Sequence, residues 1–265
     1  MVYLKDLTSL NLAFISHSTL KAKSLESSLC TAKAYKTTNP DHADVLIVLG
    51  GDGFMLKNLH LYQKANKPVY GMNCGTIGFL MNEPAYSPEE LIERLKKAVL
   101  NILHPLKMIA YTAKGCIENH AINEVSILRE TSQAAKIRIL VNGIERLSPL
   151  IGDGLIISTP AGSTAYNFSA QGPILPLESS LVALTPLSTF RPRRWKGALL
   201  PQTAKITLEI LEPSRRRVSA TADNQTIRDV WKVEIFQDLE VSYKLLFDPG
   251  HNLEERILKE QFVDS

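Results

Sequence analysis

The sequence contains few cysteines and no long apolar stretch. Cys30, Cys74 and Cys116 are far apart and form no CxxC pair, which argues against a disulfide framework and against a zinc site. No run of about 18 apolar residues is present, so we expect no transmembrane helix. The first residues also lack the basic start and apolar core of a secretory signal. We therefore expect a cytoplasmic protein with reduced thiols and no membrane partner.

Charge of one sign is also scarce. The formal net charge of the 265 residues is only +3, and 45% of them are hydrophobic, which is ordinary for a soluble globular protein. Such a small basic excess is not a nucleic-acid footprint, so we expect no nucleic-acid partner. One basic segment stands out, with Arg191, Arg193, Arg194 and Lys196. It could neutralise phosphates, although solvated surface charge is the default interpretation.

The first hundred residues alternate apolar runs with helical patterns. Val45–Leu49 is a run of five apolar residues, typical of a strand that is buried on both faces. Helical patterns follow it from about residue 54 and again after Ser87, where Ser87–Glu90 has the form of a capping box. Strand–helix alternation predicts a Rossmann-like parallel sheet with crossover helices. We assign residues 1–102 to an α/β domain.

The pattern changes near His104. Short strand-like runs with turn residues between them continue to Leu246, and Asn142-Gly143 is the strongest hairpin signal in the chain. Regular short strands of this kind predict a β-rich, sandwich-like domain over residues 103–248. Residues 249–265 revert to a helical pattern that begins near Asn252. A lone helix is not stable by itself, so we expect it to pack back on the first domain.

A glycine-rich motif, Gly50-Gly51-Asp52-Gly53, directly follows the buried strand and precedes a helix. Ligands of α/β proteins bind at the carboxyl ends of the strands. Glycines there can adopt positive φ and let the backbone approach a phosphate. A carboxylate in such a loop either holds a metal or accepts a proton, but a tight turn with Asp52 as a helix cap would give the same letters.

The remaining motifs are polar and lie along the predicted second domain. Asn123-Glu124 suits recognition of a ribose diol or an adenine edge, although a solvated strand end is the commoner explanation. Gly152–Pro173 is dense in glycine and hydroxyl residues and offers Tyr166 as a stacking face. Long loops of this kind are usually functional. Asp223-Asn224, taken alone, is more typical of a simple turn.

No P-loop (GxxxxGK[ST]) and no GxGxxG fingerprint is present. In chain order the sequence instead contains GGDG, NCGTIGFLMN at 73–82, INEV at 122–125 and GDGLIISTPAGSTAYNFSAQGPI at 152–174. Together these motifs resemble the NAD kinases over nearly the whole chain. The last motif is the specific one, because GGDG is shared with diacylglycerol and sphingosine kinases. The resemblance implies transfer of a phosphate from ATP, or from polyphosphate, to the 2′-hydroxyl of the adenosine ribose of NAD.

The resemblance also implies roles for individual residues. Asp52 matches the proposed base for the acceptor hydroxyl. The residues expected to bind the nucleotides match Gly50, Gly51, Gly53, Phe79, Leu80, Asn123, Glu124, Asp153, Ser163, Thr164, Ala165, Tyr166, Ser169 and Asp223. Family members use a divalent metal with the donor, which we expect to be Mg²⁺ bound by the donor phosphates, so we assign no protein metal ligands. They are typically homotetramers or dimers in which neighbouring subunits complete the site.

One segment departs from the commoner family pattern. After Thr185-Pro186 many members carry a segment with histidine and serine, whereas this chain reads LSTFRPRRWK from Leu187 to Lys196. The difference bears on donor and subunit contacts. Two other functions remain open from the residues themselves. One is a lipid kinase that shares GGDG, and the other is a non-catalytic NAD sensor that retains the Gly152–Pro173 segment but needs no Asp52.

Overall fold

The structure is a computed structural model that describes residues 10–30, 35–75 and 78–250. Two compact units make up the chain, and the first is discontinuous: it comprises Met1–Leu103 and Ser242–Ser265, and the second comprises His104–Val241. The predicted boundary near residue 102 lies one residue from this division. The predicted end of the second domain at 248 is wrong, because residues 242–248 belong to the first unit.

The first unit contains a six-stranded sheet in the order β2-β1-β3-β4-β18-β5. All neighbours pair in parallel except β18 and β5. Its strands are β1 (Asn11–Ser16), β2 (Lys36–Thr37), β3 (Val45–Gly50), β4 (Pro68–Asn73), β5 (Val99–Leu103) and β18 (Tyr243–Phe247). Every residue of β3 is buried, as the run of apolar side chains predicts. The parallel α/β sheet of the sequence prediction is confirmed.

The described part of this unit contains three α-helices: α1 (Leu20–Cys30), α2 (Asp52–Leu61) and α3 (Pro88–Lys97). Short 3₁₀ turns occupy Pro40–His42 and Gln63–Ala65. The capping box at the start of α3 is confirmed, because the Ser87 hydroxyl accepts from the Glu90 amide at 3.1 Å. The Glu90 carboxylate in turn accepts from the Tyr86 amide at 2.9 Å and from the Ser87 amide. The helix ends at Lys97, since β5 begins at Val99 and pairs with β18.

A buried polar cluster fixes the end of β18. The Asp248 carboxylate accepts from the Tyr70 hydroxyl at 2.7 Å and from the Arg94 guanidinium at 3.1 Å. The Asn82 side chain accepts from the Asp248 amide and donates to the carbonyls of Gly71 and Leu246. Burial and the neighbouring Asp248 raise the pKa of Tyr70, so its hydroxyl remains a donor. Every polar group of this cluster is therefore partnered.

The second unit is an antiparallel sandwich of two six-stranded sheets. One has the order β10-β9-β14-β17-β6-β7 and the other β13-β12-β11-β8-β15-β16. The first comprises β6 (Leu106–Thr112), β7 (Gly115–Ala121), β9 (Ala135–Val141), β10 (Ile144–Gly152), β14 (Ile206–Ile210) and β17 (Lys232–Gln237). The second comprises β8 (Glu124–Arg129), β11 (Gly154–Ser158), β12 (Leu181–Leu187), β13 (Ala198–Pro201), β15 (Val218–Ala222) and β16 (Gln225–Ile227). A short helix, α4 (Tyr166–Ser169), follows β11.

One apolar core joins the two sheets of the sandwich. Buried side chains of β9, such as Ile137 and Ile139, belong to the same cluster as Ile127 of β8 and Leu155 of β11. The alternation of buried and half-buried residues along β9 is that of a strand with one face in a core. The sandwich-like prediction is thus confirmed, and so is the hairpin at Asn142-Gly143, where both residues have positive φ.

The predicted C-terminal helix, which begins near Asn252, lies outside the described residues. The preceding run, Val241–Leu246, was predicted as the last strand of the sandwich. Its strand is β18, which instead pairs with β4 and β5 in the first sheet. An apolar run shows that a strand is buried but not which sheet it joins.

Candidate functional site

The GGDG motif forms the turn between β3 and α2. We expected its glycines to take positive φ, and this reason is wrong: none of Gly50, Gly51 and Gly53 does so in the structure. A Cβ on Gly50 would lie 2.7 Å from the Phe54 ring, so close packing excludes a side chain there. A Cβ on Gly51 or Gly53 would meet nothing within 4 Å. The two positions are therefore open to an approaching ligand.

Asp52 is the first residue of α2, and both of its carboxylate oxygens are held by the backbone. Oδ2 accepts from the Phe79 amide at 2.7 Å and Oδ1 from the Leu80 amide at 2.9 Å. The contacts fix the direction of the carboxylate and stabilise its charge. A carboxylate held in this way is a base of fixed orientation that can accept a proton.

The loop after β4 meets the GGDG loop. The Cys74 amide donates to the Gly50 carbonyl at 2.7 Å, and the Phe79 and Leu80 amides bind Asp52 as described above. The Leu80 side chain is buried, so its described contribution is its amide. Thr76 and Ile77 lie outside the described residues. Two polar loops thus converge at the carboxyl ends of adjacent parallel strands, where α/β proteins bind ligands.

A second polar group lies in the other unit, at the start of β8. Asp223 occupies the turn between β15 and β16 with a φ of 48°. Its carboxylate accepts from the amides of Ile122, Asn123 and Glu124 at 2.8, 2.9 and 3.3 Å. The turn that we favoured for Asp223 is confirmed, and it has a further consequence: Asp223 holds the backbone that carries Asn123 and Glu124.

Two buried side-chain oxygens at this position have no hydrogen-bond partner among the described residues. They are Oδ1 of Asn123 and Oε2 of Glu124. Burial, together with the nearby charge of Asp223, raises the pKa of Glu124 to about 8, although the Tyr166 amide donates to it. Unpartnered buried polar atoms are costly and rare. Two on adjacent residues indicate a site that a polar ligand completes.

The glycine- and hydroxyl-rich segment folds against this pair. A Cβ on Gly162 would lie 2.2 Å from the Asn123 carbonyl oxygen, so only glycine permits the contact. The Thr159 hydroxyl donates to the Ile122 carbonyl at 2.7 Å. The segment then enters α4 with Ala165 as its N-cap and Tyr166 exposed. Thr164 is buried, whereas Ser169 at the end of α4 is exposed.

Both parts of this geometry fall within regions that match known protein families. Residues 6–101 match the ATP-NAD kinase N-terminal domain, and residues 122–244 match the ATP-NAD kinase C-terminal domain. Curated relatives agree with these matches. The NAD kinase of Caulobacter vibrioides is 52% identical over 232 residues, which cover 87% of this chain and 88% of that one. The NAD kinase of Xylella fastidiosa strain 9a5c is 54% identical over 230 residues, 86% of this chain and 88% of that one.

The chain belongs to the NAD kinase family. Solved structures share its fold. Yeast NADH kinase complexed with NADH has a TM-score of 0.83 at 19% identity and covers 100% of this chain and 90% of its own. An NAD kinase from Archaeoglobus fulgidus in complex with ATP has a TM-score of 0.72 at 23% identity, covering 96% of this chain and 97% of its own.

Not every residue predicted for the NAD kinase site presents its side chain to a ligand. The Ser163 hydroxyl is buried, donates to the Pro160 carbonyl at 2.7 Å and accepts from the Leu175 amide at 3.0 Å. Its side chain therefore holds the loop together. Asn167, which we did not single out, does the same: it donates to the carbonyls of Ser163 and Pro173 and accepts from the Thr185 hydroxyl. A buried asparagine in a glycine-rich loop was the available signal.

Asp153 is not brought together with Asn123 and Glu124. In the pairing of β11 with β8, Ser158 lies opposite Glu124 and Gly154 lies opposite Leu128. Asp153 precedes Gly154, so about five residues of strand, roughly 16 Å, separate it from the Glu124 end. Its carboxylate instead forms an ion pair with Arg129. Within one chain, Asp153 and the Asn123-Glu124 pair occupy opposite ends of the same strands.

The described residues contain no group of three or more His, Cys, Asp or Glu side chains arranged to hold a metal ion. Near the start of β3, Pro40–His42 forms a 3₁₀ turn and the Asp44 carboxylate accepts from the Asn11 amide at 2.8 Å. None of the described helices has the length and apolar character needed to span a membrane.

Proposed function

We propose that this NAD kinase family member transfers the terminal phosphate of ATP to the 2′-hydroxyl of the adenosine ribose of NAD. The observation that carries the mechanism is the Asp52 carboxylate, fixed by two backbone amides between two glycines with open space beside them. Phosphoryl transfer depends mostly on positioning and charge stabilisation, with one group taking the proton. Asp52 is the group that we assign to the proton.

In the proposed transfer, a bond forms between the ribose 2′ oxygen and the terminal phosphorus of ATP. The bond between that phosphorus and the oxygen that bridges it to the next phosphate breaks. The electron pair leaves with ADP, and the hydroxyl proton passes to Asp52. The open positions at Gly51 and Gly53 suit phosphate oxygens, which need close approach to backbone amides at a helix start.

For NAD, we assign binding to the second unit. The unpartnered oxygens of Asn123 and Glu124 suit the hydroxyl and amino donors of an adenosine group. Tyr166 offers an exposed ring face beside them. Thr164, Ala165 and Ser169 line the same turn and stay predictions as dinucleotide contacts. Asp223 acts through the backbone of Asn123 and Glu124, as a positioning residue.

The place of Asp153, at the far end of β11, favours a role toward the NAD of a neighbouring copy in a homodimer or homotetramer. This assignment is tested separately from the catalytic base. Mixing Asp153→Ala chains with Glu124→Gln chains should give an oligomer with more activity than either variant alone, if each copy completes the site of the other. Activity no higher than that of the separate variants would place Asp153 outside the neighbour's site.

The described residues are compatible with a divalent metal ion that the phosphate donor, rather than the protein, holds. They supply no cluster of three or more ligating side chains, so we propose that Mg²⁺ arrives with the donor and is held mainly by phosphate oxygens and water. When bound, the ion neutralises charge on the phosphates. The residues of this chain position the acceptor and remove its proton.

The deciding experiment is NADP formation by Asp52→Asn. A well-placed base contributes roughly 10²–10⁴ in rate, so we expect kcat to fall by about that factor while NAD binding, measured by calorimetry, stays largely intact. The amide can still accept from one of the two backbone amides. Its NH₂ group faces the other, so thermal unfolding must be measured alongside.

Asp44→Asn is the matched control, because Asp44 also accepts from a backbone amide in the first unit. Asp44→Asn should lose about as much stability as Asp52→Asn does, and its kcat should equal that of the parent. Turnover of Asp52→Asn within threefold of the parent would remove Asp52 from the proton transfer.

A further inference from the structure

The basic segment at Arg191–Lys196 forms no ion pair with the carboxylates that the structure describes. Six arginines elsewhere form ion pairs with carboxylates, namely Arg94, Arg129, Arg138, Arg216, Arg217 and Arg228. Within the described residues, none of the four cations of this segment has such a partner. Arg191 and Arg193 contact the Phe190 ring at 5.7 and 5.9 Å, which leaves their N–H donors available.

Three of these cations line a cleft in the second unit with a volume of about 750 Å³. Arg193, Arg194 and Lys196 share its wall with Trp195, and the remaining lining residues are Ala170, Gln171, Thr185, Pro186 and Thr189. No carboxylate belongs to this lining. The volume lies in the range of small-molecule sites, so the segment differs from an ordinary solvated basic face.

The backbone of the segment is fixed before any ligand arrives. Phe190 and Arg191 donate to the Ile151 carbonyl, and Ile151 donates back to the Arg191 carbonyl at 2.8 Å. Trp195 packs against the core of the sandwich. Gly197 has a φ of 105°, and a Cβ there would lie 2.1 Å from the Leu184 carbonyl oxygen. A preformed wall lowers the ordering cost of binding.

The wall also contains an incomplete polar group. The Thr189 hydroxyl is buried and has no hydrogen-bond partner among the described residues. Thr185, by contrast, donates to the Asn167 side chain at 2.7 Å and so connects the cleft to the loop that carries Ser163 and Tyr166. An unpartnered hydroxyl beside three cations indicates a place for a strong acceptor such as a phosphate oxygen.

From these features we propose that the Arg193–Lys196 cleft binds a polyphosphate chain, either in a nucleoside triphosphate or as inorganic polyphosphate. Guanidinium groups bind phosphate oxygens through paired N–H donors. Trp195 is placed to pack against a base when the chain belongs to a nucleotide. The proposal does not depend on the Asp52 mechanism, because binding is measured without NAD and without turnover.

Tryptophan fluorescence gives a direct readout. The chain has two tryptophans, and Trp231→Phe leaves Trp195 as the single reporter. We expect a saturable fluorescence change when inorganic tripolyphosphate or ATP is added without NAD, and a weaker one at high salt. Removing a charge-assisted contact should weaken binding about tenfold per arginine, so Arg193→Ala and Arg194→Ala together should weaken it about a hundredfold.

Arg215→Ala is the matched control, since Arg215 is exposed and also lacks an ion-pair partner in the described part of the chain. It should bind as the parent does, and circular dichroism should show that all variants fold. Arg193→Lys with Arg194→Lys keeps the charge but loses the paired donors. This variant should fall between the parent and the alanine variant.

The two sources of the chain are separated by comparing ligands. Tighter binding of ATP than of tripolyphosphate would support a nucleotide on Trp195, and equal binding would support the phosphate chain alone. Two results would overturn the proposal: no saturable change with either ligand, or equal weakening by the Arg193/Arg194 and Arg215 variants.

Discussion

Two acids, one in each unit, differ in the hydrogen-bond partners and charges that surround their carboxylates. Asp248 in the first unit has a partner for each carboxylate oxygen, from the Tyr70 hydroxyl and the Arg94 guanidinium. Glu124 in the second unit leaves Oε2 unpartnered and lies near the negative charge of Asp223. The pKa of Glu124 is raised to about 8 as a result. The hydrogen-bond partners of the two acids therefore point to opposite roles.

This contrast distinguishes residues that stabilise the fold from residues that we assign to ligand binding. A saturated cluster such as that of Asp248 gains nothing from a further polar group. The Asn123-Glu124 pair carries an unfavourable energy that a correctly placed ligand can offset.

Removing the partnered acid should mainly cost stability. Asp248→Ala leaves the Tyr70 hydroxyl and the partly buried Arg94 without their acceptor. We expect the free energy of unfolding to fall by about 2–3 kcal/mol, while the KM for NAD stays unchanged below the unfolding transition. Urea denaturation and steady-state kinetics measure both quantities. A raised KM with unchanged stability would assign Asp248 to ligand binding instead.

Removing the acid with one unpartnered oxygen should weaken NAD binding. Glu124→Gln has nearly the shape of the protonated side chain but cannot accept through both oxygens. We expect an approximately tenfold rise in the KM for NAD and a free energy of unfolding equal to or above that of the parent. Gln133→Glu makes the opposite exchange, from amide to acid, at a position of the same unit that lies outside the motif. It serves as the control for the KM measurement. A destabilised protein with a normal KM would contradict the assignment.

The pH dependence of stability should carry the signature of Glu124. Its pKa of about 8 in the folded state lies above the ordinary glutamate pKa of 4.5, so between these values the folded state holds a proton that the unfolded state releases. Stability therefore falls as pH rises from about 4.5 to about 8 and is level with respect to this group outside that window. The slope is at most about 1.4 kcal/mol per pH unit.

Glu124→Gln should flatten that part of the profile, whereas Asp248→Ala should shift the whole curve downward. Thermal unfolding measured at half-unit steps of pH distinguishes the two responses. Parallel curves for the parent and Glu124→Gln would show that the acid titrates as it does in the unfolded chain.

The smallest effect is expected at Ser163. Its hydroxyl bonds within the loop, so Ser163→Ala should lower the free energy of unfolding by about 1 kcal/mol and change the KM for NAD less than twofold. Differential scanning calorimetry and initial-rate kinetics measure the two. A large rise in KM without loss of stability would return Ser163 to the set of direct contacts.

Much of the fold follows from sequence patterns because local rules dominate there. The apolar run at Val45–Leu49, the box at Ser87–Glu90 and the Asn142-Gly143 turn each specify an element with short-range signals. The position of β18 could not be predicted in this way. Its apolar pattern suits either sheet, and its partners β4 and β5 are distant in the chain.

The site shows the same limit. Motif order predicted Asp52, Asn123, Glu124 and Asp153 as site residues, but the pairing register places Asp153 at the other end of β11 from Glu124. The glycines of GGDG illustrate a different gap. Glycine at these positions predicts positive φ, whereas the structure shows close packing at Gly50 and open space at Gly51 and Gly53. Long-range geometry, not residue type, decides such points.

The order of strands in the first sheet also bears on synthesis of the chain. β5 joins that sheet only through β18, and β4 has β18 on its other side. A nascent chain that has emerged from the ribosome as far as residue 241 can complete the sandwich. It still lacks β18, the strand that joins β5 to the other strands of the first sheet. Ribosomal synthesis proceeds from the N-terminus, so the earlier-made unit becomes whole only after the later one, and truncation just before β18 should leave a folded sandwich beside an open sheet.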